Sequence, residues 1–193
     1  MRTAAIVRKT NETSVEIRLN LDGEGVGEIN TGIGFFDHML TLFAKHSGID
    51  LYADIKGDLD VDGHHTIEDT GIALGRCLKD ALGDKVGIRR YGSALIPMDE
   101  TLVEAAIDLS GRSYLVFNGK FTAEMAGTFP LEMVEEFFRA VAFNGEMNLH
   151  LNLRYGKNNH HMAEGMFKAF AHAFKAAATI EGDIVLSTKG VLE

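Results

Sequence analysis

The chain has 193 residues, of which 46% are hydrophobic, as expected for a globular protein with one sizeable core or two small halves. Its net charge of −9 and the lack of a basic cluster argue against nucleic acid as a partner, whereas a small anionic substrate remains possible. With no signal-peptide or membrane-span pattern and one cysteine, Cys77, we expect a cytoplasmic protein with no membrane contact, no internal disulfide and a buried packing thiol.

In the first half, hydrophobic periodicity predicts strands and two helices. Apolar and polar residues alternate over 15–21, as in a strand with one buried face. Helical spacing begins at Phe35 and closes at Gly48 after a basic last turn. A further strand follows at 51–55, and a second helix at 66–82. Cys77 falls within this second helix.

The second half repeats this order. Segment 99–104 matches segment 11–16, and residues 103–109 alternate as residues 15–21 do. A helix is predicted from a first-turn proline, Pro130, to Gly145, then a strand at 147–153 and a helix at about 162–179. We therefore predict a single domain over 1–193, made of two repeats, about 1–87 and 88–193, that meet near 85–89. Each repeat is a small sheet plus two helices, and the helices pack between the sheets in an α+β fold.

Both second helices begin with a His-His-x-x-Glu tract, His64-His65-Thr66-Ile67-Glu68 and His160-His161-Met162-Ala163-Glu164. One such tract can be a helix N-terminus with solvated imidazoles and a glutamate favoured by the helix dipole. Two tracts in register instead indicate metal binding, and donors without thiolate favour manganese, iron or zinc. Because residues three apart share a helix face, we expect His65 to pair with Glu68 and His161 with Glu164. Each leading histidine then reaches the other tract's ion.

Other candidates are weaker when taken alone. His38 on the first helix aligns with Glu136 on its equivalent, so both are candidate ligands. Glu12 and its counterpart Glu100 are each a candidate general base or a solvated strand acid. A last group pairs basic or hydroxyl side chains with glycines, which suits phosphate as well as plain solubility: Arg90, Arg112, Ser187, Thr188 and Lys189. His46, His150 and His172 occupy polar positions of predicted helices and strands.

These motifs together resemble the imidazoleglycerol-phosphate dehydratase family. The segments that carry the resemblance are Phe35-Phe36-Asp37-His38-Met39-Leu40, Asp62-Gly63-His64-His65-Thr66-Ile67-Glu68-Asp69, Pro97-Met98-Asp99-Glu100, Asp108-Leu109-Ser110-Gly111-Arg112, Asn159-His160-His161-Met162-Ala163-Glu164 and Lys168-Ala169-Phe170. They span nearly the whole chain. The resemblance implies a ribosomal protein S5 domain 2-like fold and a hydro-lyase of histidine biosynthesis that converts imidazole glycerol phosphate to imidazole acetol phosphate.

The resemblance also implies two Mn²⁺ ions per active site, with other divalent metals possible. One ion would be held by His38, His65, Glu68 and His160, and the other by His64, His161, Glu164 and Glu136. Many relatives have histidine where this chain has Glu136, so its ligand set carries one more negative charge. With each ring nitrogen of the substrate on one ion, the ring is expected to be held as imidazolate, whose electrons expel the adjacent hydroxyl.

The substrate contacts carried over by the resemblance are Glu12, the 38–46 helix with His38 and His46, the metal-ligating tracts, Arg90, Arg112, Lys168 and Ser187-Thr188-Lys189. We predict Glu12 as the proton-transfer carboxylate, with Glu68 or Glu164 as alternatives. The expected partners are this small phosphate substrate and further copies of the chain. The resemblance implies a large symmetric homo-oligomer, a 24-mer, with sites at subunit interfaces. A dinuclear phosphoester hydrolase and a non-catalytic metal-binding assembly are the rival hypotheses.

Overall fold

Two four-stranded sheets with equivalent strand orders form the outer layers of the computed structural model, which describes residues 1–192. The first sheet has the order β1 (Thr3–Lys9), β2 (Thr13–Asn20), β4 (Asp50–Gly57), β3 (Gly27–Asn30). The second has the order β5 (Tyr91–Met98), β6 (Thr101–Asp108), β10 (Asn148–Tyr155), β7 (Tyr114–Asn118). In each sheet only the last pair of strands is parallel. The second half of the chain therefore repeats the topology of the first.

Four helices lie between the sheets: α1 (Gly34–Ser47), α2 (His64–Leu82), α3 (Met133–Asn144) and α4 (Asn159–Ala178). Helix α2 packs on β1 and β2, and α4 packs on β5 and β6. The pairs α1–α4 and α2–α3 each join helices from different halves. The predicted α+β fold with duplicated halves and central helices is confirmed. Over residues 1–192, no helix combines the length and apolar character needed to cross a membrane.

Local signals account for where the functional helices begin and end. Helix α1 stops at Gly48, whose φ of 79° is favourable for glycine. The Asn158 side chain caps α4 by accepting hydrogen bonds from the backbone N–H groups of His160 and His161, at 2.9 and 3.3 Å. Asp62 accepts from the backbone N–H of His64 at 2.8 Å before α2. These hydrogen bonds hold the first turns, where both histidine tracts lie.

The prediction that a helix begins at Pro130 is wrong. Pro130 belongs to strand β9 (Phe129–Pro130), which pairs with β8 (Met125–Ala126) in a short hairpin. The Leu131 N–H donates to the Glu124 carbonyl at 2.8 Å, so the chain is still part of the hairpin there, and α3 starts only at Met133. A two-residue strand is too short to show an alternating pattern. The helical spacing that follows it therefore led to a predicted helix that starts three residues too early.

Aromatic side chains from both halves fill the helical layer. Phe43 of α1 stacks on Phe170 of α4 with ring centroids 5.3 Å apart, and Phe137 of α3 stacks on Phe167 of α4 at 5.2 Å. All four rings are buried, and each buried phenylalanine contributes about 1.5–3 kcal/mol. The predicted packing role of Cys77 is confirmed, since it is fully buried on α2 and burial raises its thiol pKa to about 12. The halves thus share one core, which fixes α1 relative to α4.

Candidate active site

Three candidate ligands from both halves meet where α1 packs against the first turns of α4. Oε2 of Glu164 lies 3.0 Å from Nε2 of His160 and 3.3 Å from Nε2 of His38. Of the residues 1–192, only these three form a cluster of at least three potential ligand atoms within 4.8 Å of one another. The two imidazoles are about half exposed, whereas Glu164 is 6% exposed. The cluster therefore has a buried carboxylate at its base and imidazoles at its rim.

Lys168 supports this carboxylate from one helical turn further along α4. Its Nζ lies 2.6 Å from Oε1 of Glu164, so the two carboxylate oxygens have separate partners. Burial raises the pKa of Glu164, but the ammonium of Lys168 and the imidazoles of His160 and His38 outweigh burial and lower the pKa below its ordinary value. The side chain is therefore ionised, which is the form that binds metals.

An equivalent arrangement lies at the start of α2. Nε2 of His64 is 3.6 Å from Oε2 of Glu68, a looser version of the His160–Glu164 pair. His64 and Glu136 line one cleft of about 950 Å³ together with Asp62. Oε2 of Glu136 is 3.5 Å from Nε of Arg139, so a guanidinium is close to the carboxylate that aligns with His38. The halves thus provide two related groups, and the α1–α4 group is the tighter one.

The second histidine of each tract is held by an acid of its own half. Nδ1 of His65 lies 2.9 Å from Oδ2 of Asp58 and 3.8 Å from Oε2 of Glu12. Nδ1 of His161 lies 2.8 Å from Oε2 of Glu100. A neutral imidazole that donates from Nδ1 has its lone pair on Nε2, and this contact is typical of metal-ligating histidines. His65 and His161 are thus oriented to offer Nε2 to a ligand.

The pKa values of three of these groups shift in the directions that hydrogen bonds between imidazole and carboxylate produce. The hydrogen bond to Asp58 raises the pKa of His65, and the hydrogen bond to Glu100 raises the pKa of His161. The pKa of Glu100 falls well below its ordinary range, first because of His161 and then because the Asn158 N–H also donates to it. The Glu100 carboxylate is therefore fixed as an acceptor.

The predicted sharing of one ion by His65 and Glu68, and of another by His161 and Glu164, stays a prediction, although neither pair makes a side-chain hydrogen bond or ion pair within residues 1–192. The leading histidines, His64 and His160, instead contact the glutamates of their own tracts. Positions four apart share a helix face as well as positions three apart do, and the acids beside Nδ1 turn the second histidines away. No hydrogen bond or ion pair within residues 1–192 joins the two tracts. His38 and His160 do come together as predicted, but with Glu164 and not with Glu68.

The candidate phosphate contacts fall into separate groups. Arg90 is engaged, since Nε and Nη2 donate to Asp108 at 2.7 and 3.1 Å and Nη1 donates to the Leu186 carbonyl at 2.7 Å. Its third bond ties the arginine to the exposed C-terminal segment that contains Ser187, Thr188 and Lys189. The guanidinium of Arg112 is exposed and has no hydrogen bond or ion pair within residues 1–192.

His46 lies at the far end of the α1–α4 contact from His38. Its Nδ1 is 3.1 Å from Nε2 of His172 on α4. Burial, His172 and Lys168 together lower the pKa of His46. A line of basic groups, Lys168, His172 and His46, therefore continues from the Glu164 cluster along this contact. His150 is exposed on β10, as the strand pattern predicted.

Two functional acids are poorly marked in the sequence. Asp58 has no recognisable motif, although an acid in the short loop before a histidine tract is a usable signal. Glu100 was predicted as a candidate base because it aligns with Glu12, but in the structure its carboxylate holds His161. Alignment of the repeats identifies Glu100 as a candidate, whereas the histidine that each acid contacts depends on how the loops fold.

The donor set fits a divalent first-row metal. Two imidazole nitrogens and a carboxylate oxygen converge, and the carboxylate is ionised. Such a centre can act as a Lewis acid toward a nitrogen or oxygen of a substrate. Three donors from one chain leave coordination positions for a substrate and for additional protein ligands.

Comparison with known proteins gives a consistent result. Residues 31–174 match the family model of imidazoleglycerol-phosphate dehydratase. Curated proteins of that name include those of Listeria welshimeri, 60% identical over 100% of both chains, and Clostridium acetobutylicum, 58% identical over 98% of this chain and 97% of the relative.

The similar solved structures carry the same name. The crystal structure of imidazoleglycerol-phosphate dehydratase from Staphylococcus aureus has a TM-score of 0.84 and 43% identity, covering 92% of this chain and 99% of that one. The structure from Pyrococcus furiosus has a TM-score of 0.84 and 34% identity, covering 97% of this chain and 100% of that one. The family match and the full-length relatives agree that this chain belongs to the imidazoleglycerol-phosphate dehydratase family of hydro-lyases.

Proposed function

We propose that this dehydratase converts imidazole glycerol phosphate to imidazole acetol phosphate with two Mn²⁺ ions per active site. The observation that carries the metal requirement is the convergence of His38 and His160 on the ionised, buried carboxylate of Glu164. Other divalent ions suit the same donors. The reaction belongs to histidine biosynthesis, and we propose that it takes place in the cytoplasm, where the free thiol of Cys77 is stable.

The first ion would be held by His38, His160 and Glu164, and the second by the related group of His64, Glu68 and Glu136. When bound, the ions supply Lewis acidity to the two nitrogens of the substrate's imidazole ring. Lys168 holds Glu164 ionised and leaves its Oε2 directed at the two imidazoles. The imidazole ring of the substrate and the hydroxyls of its side chain would thereby lie beside the first turns of α2 and α4.

The elimination needs an acceptor for the proton on the carbon that bears the second hydroxyl. As the hydroxyl next to the ring leaves, this proton is lost to a carboxylate, and the resulting enol becomes the ketone. We propose Glu12 as the acceptor, because its carboxylate is 54% exposed and lies 3.8 Å from His65 at the edge of the site. Glu68 and Glu164 are less suited, because we propose both as metal ligands, beside His64 and His160 respectively.

The phosphate end of the substrate requires basic groups near the metal centre. Lys168, His172 and His46 form a line away from Glu164, and Arg112 has a solvent-accessible guanidinium. Arg90 acts differently, because its bond to the Leu186 carbonyl holds the C-terminal segment with Ser187, Thr188 and Lys189. We propose that this segment covers the phosphate and that Arg90 anchors it.

We further propose that the active unit is a symmetric homo-oligomer, a 24-mer, with metals between subunits. The support is the state of His65 and His161 within one chain. An acid holds each Nδ1, whereas Nε2 of His65 makes no hydrogen bond within residues 1–192, and Nε2 of His161 has only Asp99 at 3.9 Å. Both histidines are therefore prepared to donate to a metal outside their own chain's cluster.

The test is reconstitution of the metal-free protein. We would remove metals with a chelator, add Mn²⁺ in steps, and measure bound metal, particle size and formation of imidazole acetol phosphate. We expect two ions per chain, an increase in size and activity that appears together with the metal. Because each ion needs its own proposed ligand group, His38→Ala and His64→Ala should each remove one of the two ions.

Two other results would overturn the proposal. Release of inorganic phosphate without the ketone product would identify a dinuclear phosphoester hydrolase. Metal uptake without turnover, unchanged by Arg90→Ala and Arg112→Ala, would identify a non-catalytic metal-binding assembly. The exposed Arg18→Ala variant on β2 is the matched control for loss of one arginine.

A further inference from the structure

Two equivalent acids, Glu12 and Glu100, have different surroundings in the two halves. Each is the last residue of the turn between the first two strands of its sheet. Glu100 is fully engaged, because Oε1 accepts from the N–H groups of Lys157 and Asn158 at 3.1 and 2.6 Å and Oε2 lies 2.8 Å from His161. The Glu12 carboxylate makes no hydrogen bond within residues 1–192. The duplicated turn therefore fixes one carboxylate and leaves the other unengaged.

The difference arises in the loops that lead to α2 and α4. Gly57 ends β4, and Gly156 directly follows the equivalent strand β10. The two glycines occupy corresponding places, since a Cβ atom at either would clash with the first turn of the next helix, at Thr66 and at Met162. The segment between this glycine and the histidine tract comprises residues 58–63 in the first half but only 157–159 in the second. Asp58 thus corresponds to Lys157, which offers its backbone N–H to Glu100 and provides no acid for His161.

In the first half, Asp58 occupies the place beside the histidine that Glu100 has in the second. Its Oδ2 lies 2.9 Å from Nδ1 of His65, whereas Glu12 is 3.8 Å from the same atom. An imidazole Nδ1 carries one proton and donates one strong hydrogen bond. Asp58 therefore accepts the Nδ1 hydrogen bond of His65, so that this bond is not available to Glu12.

We propose that Asp58 is the positioning residue of His65 and, by taking this role, leaves the Glu12 carboxylate available to the substrate, whereas Glu100 positions His161 and takes no part in proton transfer. The inference rests on the proposed function, since it assigns different roles to the two halves of that site. It explains why a duplicated centre has one proton acceptor.

The backbone of the Glu12 turn is held in place although its side chain is not. Oγ1 of Thr10 accepts from the N–H groups of Glu12 and Thr13 at 3.2 and 3.0 Å. Thr13 in turn donates to Asp69, a buried acid of α2 that also pairs with Arg8. The Cα of Glu12 is thus fixed relative to α2, and only its side-chain torsions remain to be set by a substrate.

The two acids should therefore respond differently to truncation. Without Asp58, the Glu12 carboxylate can close the 3.8 Å distance to Nδ1 of His65 and take the place of Asp58 there. Metal binding is then preserved, but Glu12 is no longer available to accept the substrate's proton. Without Glu100, no second acid faces Nδ1 of His161, because Asp99 lies 3.9 Å from the other nitrogen, Nε2. Metal affinity should then fall.

The experiment compares Asp58→Ala with Glu100→Ala. Mn²⁺ affinity is measured by calorimetry on the metal-free proteins, and kcat and KM are measured on the loaded ones. We expect Glu100→Ala to weaken Mn²⁺ binding roughly 10- to 100-fold and Asp58→Ala to change it less than about threefold. Asp58→Ala should instead lower kcat by roughly 10- to 100-fold at an unchanged KM. Asp58→Asn should restore most of kcat, since the amide oxygen still accepts the Nδ1 proton.

Asp60→Ala, an exposed acid of the same loop, controls for the loss of one charge. Equal losses of Mn²⁺ affinity in Asp58→Ala and Glu100→Ala, or an unchanged kcat in Asp58→Ala, would overturn the inference. Asp58→Asn and Glu100→Gln repeat the affinity comparison if either alanine variant fails to fold by circular dichroism. If the wild-type protein binds Mn²⁺ but forms no ketone, the proposed function fails, whereas the affinity contrast still tests the positioning roles.

Discussion

The Nε2 atom of His38 lies 3.3 Å from Oε2 of Glu164, although 126 residues separate the two in the sequence. His38 is on α1 of the first half, and Glu164 is on α4 of the second. The contact therefore exists only because helices of different halves pack together, with Phe43 stacked on Phe170 below it. Assembly of the candidate metal centre is thus coupled to docking of the two halves.

Glu164→Gln should abolish metal binding at this centre while preserving the fold. Glutamine has nearly the same shape, so the packing around the buried side chain remains. The amide is a much poorer ligand than a carboxylate, and the loss of affinity should exceed the roughly 10- to 100-fold cost of losing an outer partner of a ligand. Metal analysis after dialysis against Mn²⁺ provides the measurement. Glu16→Gln, a partly exposed acid on β2, is the control and should retain wild-type metal content.

Lys168→Met should shift metal binding to higher pH. Burial raises the pKa of Glu164, and the Lys168 ammonium is the largest of the groups that lower it. Without Lys168 the pKa rises, so protons compete with the metal up to a higher pH. The pH midpoint of Mn²⁺ binding, measured by calorimetry across pH 5–8, should therefore increase. Lys175→Met, further along α4, should leave the midpoint unchanged, and an equal shift there would point to net charge as the cause.

The sequence alone predicted much of the fold because each half carries its own pattern. Alternation over residues 15–21 and 103–109 and helical spacing from Phe35 gave elements close to β2, β6 and α1. The structure differs at Pro130, at the unpredicted first strands β1 and β5, and at the short strands β3, β7, β8 and β9. The short strands contain too few residues for a period to emerge. The order of strands in each sheet was also not predicted, since it depends on pairing between distant segments.

The membership of the candidate site was predicted better than its grouping. Imidazoles and carboxylates at helical spacing predicted both tracts as candidate ligands, and alignment of the two halves added His38. Whether His38 meets Glu68 or Glu164 depends on which helix α1 packs against, and that is decided by the interhelical phenylalanines. The contact of Asp58 with His65 depends on the length of a loop, which no periodicity encodes.

Gly75→Ala should destabilise the protein although alanine favours helices. A Cβ atom at Gly75 on α2 would lie 2.6 Å from the Val141 carbonyl oxygen and 2.9 Å from the Gly145 nitrogen, both backbone atoms of the α3 region. Separating α2 from α3 should cost about 1–3 kcal/mol, which exceeds the helix-propensity gain of about 1 kcal/mol.

Guanidinium unfolding followed by circular dichroism, at one fixed protein concentration, measures this difference. The matched control is Gly34→Ala at the start of α1, where nothing lies within 4 Å of an added Cβ. The control should be neutral or slightly stabilising. A Gly75→Ala variant as stable as the control would mean that α2 and α3 can separate freely.

His172→Gln should make stability less sensitive to acid. Burial, followed by His172 and Lys168, lowers the pKa of His46 from its ordinary value of 6.5. Below pH 6.5 the unfolded chain therefore binds a proton at His46 that the folded chain does not, so stability falls as the pH drops from 6.5 to the folded pKa. His172→Gln removes one repelling charge, which raises the pKa of His46 and reduces the loss of stability at low pH.

Urea unfolding of the wild type and the variant at pH 7.5 and 5.5 measures this loss of stability. His150→Gln, at an exposed position on β10, should keep the wild-type pH dependence, and a His172→Gln variant that keeps it as well would show that His172 does not influence the pKa of His46.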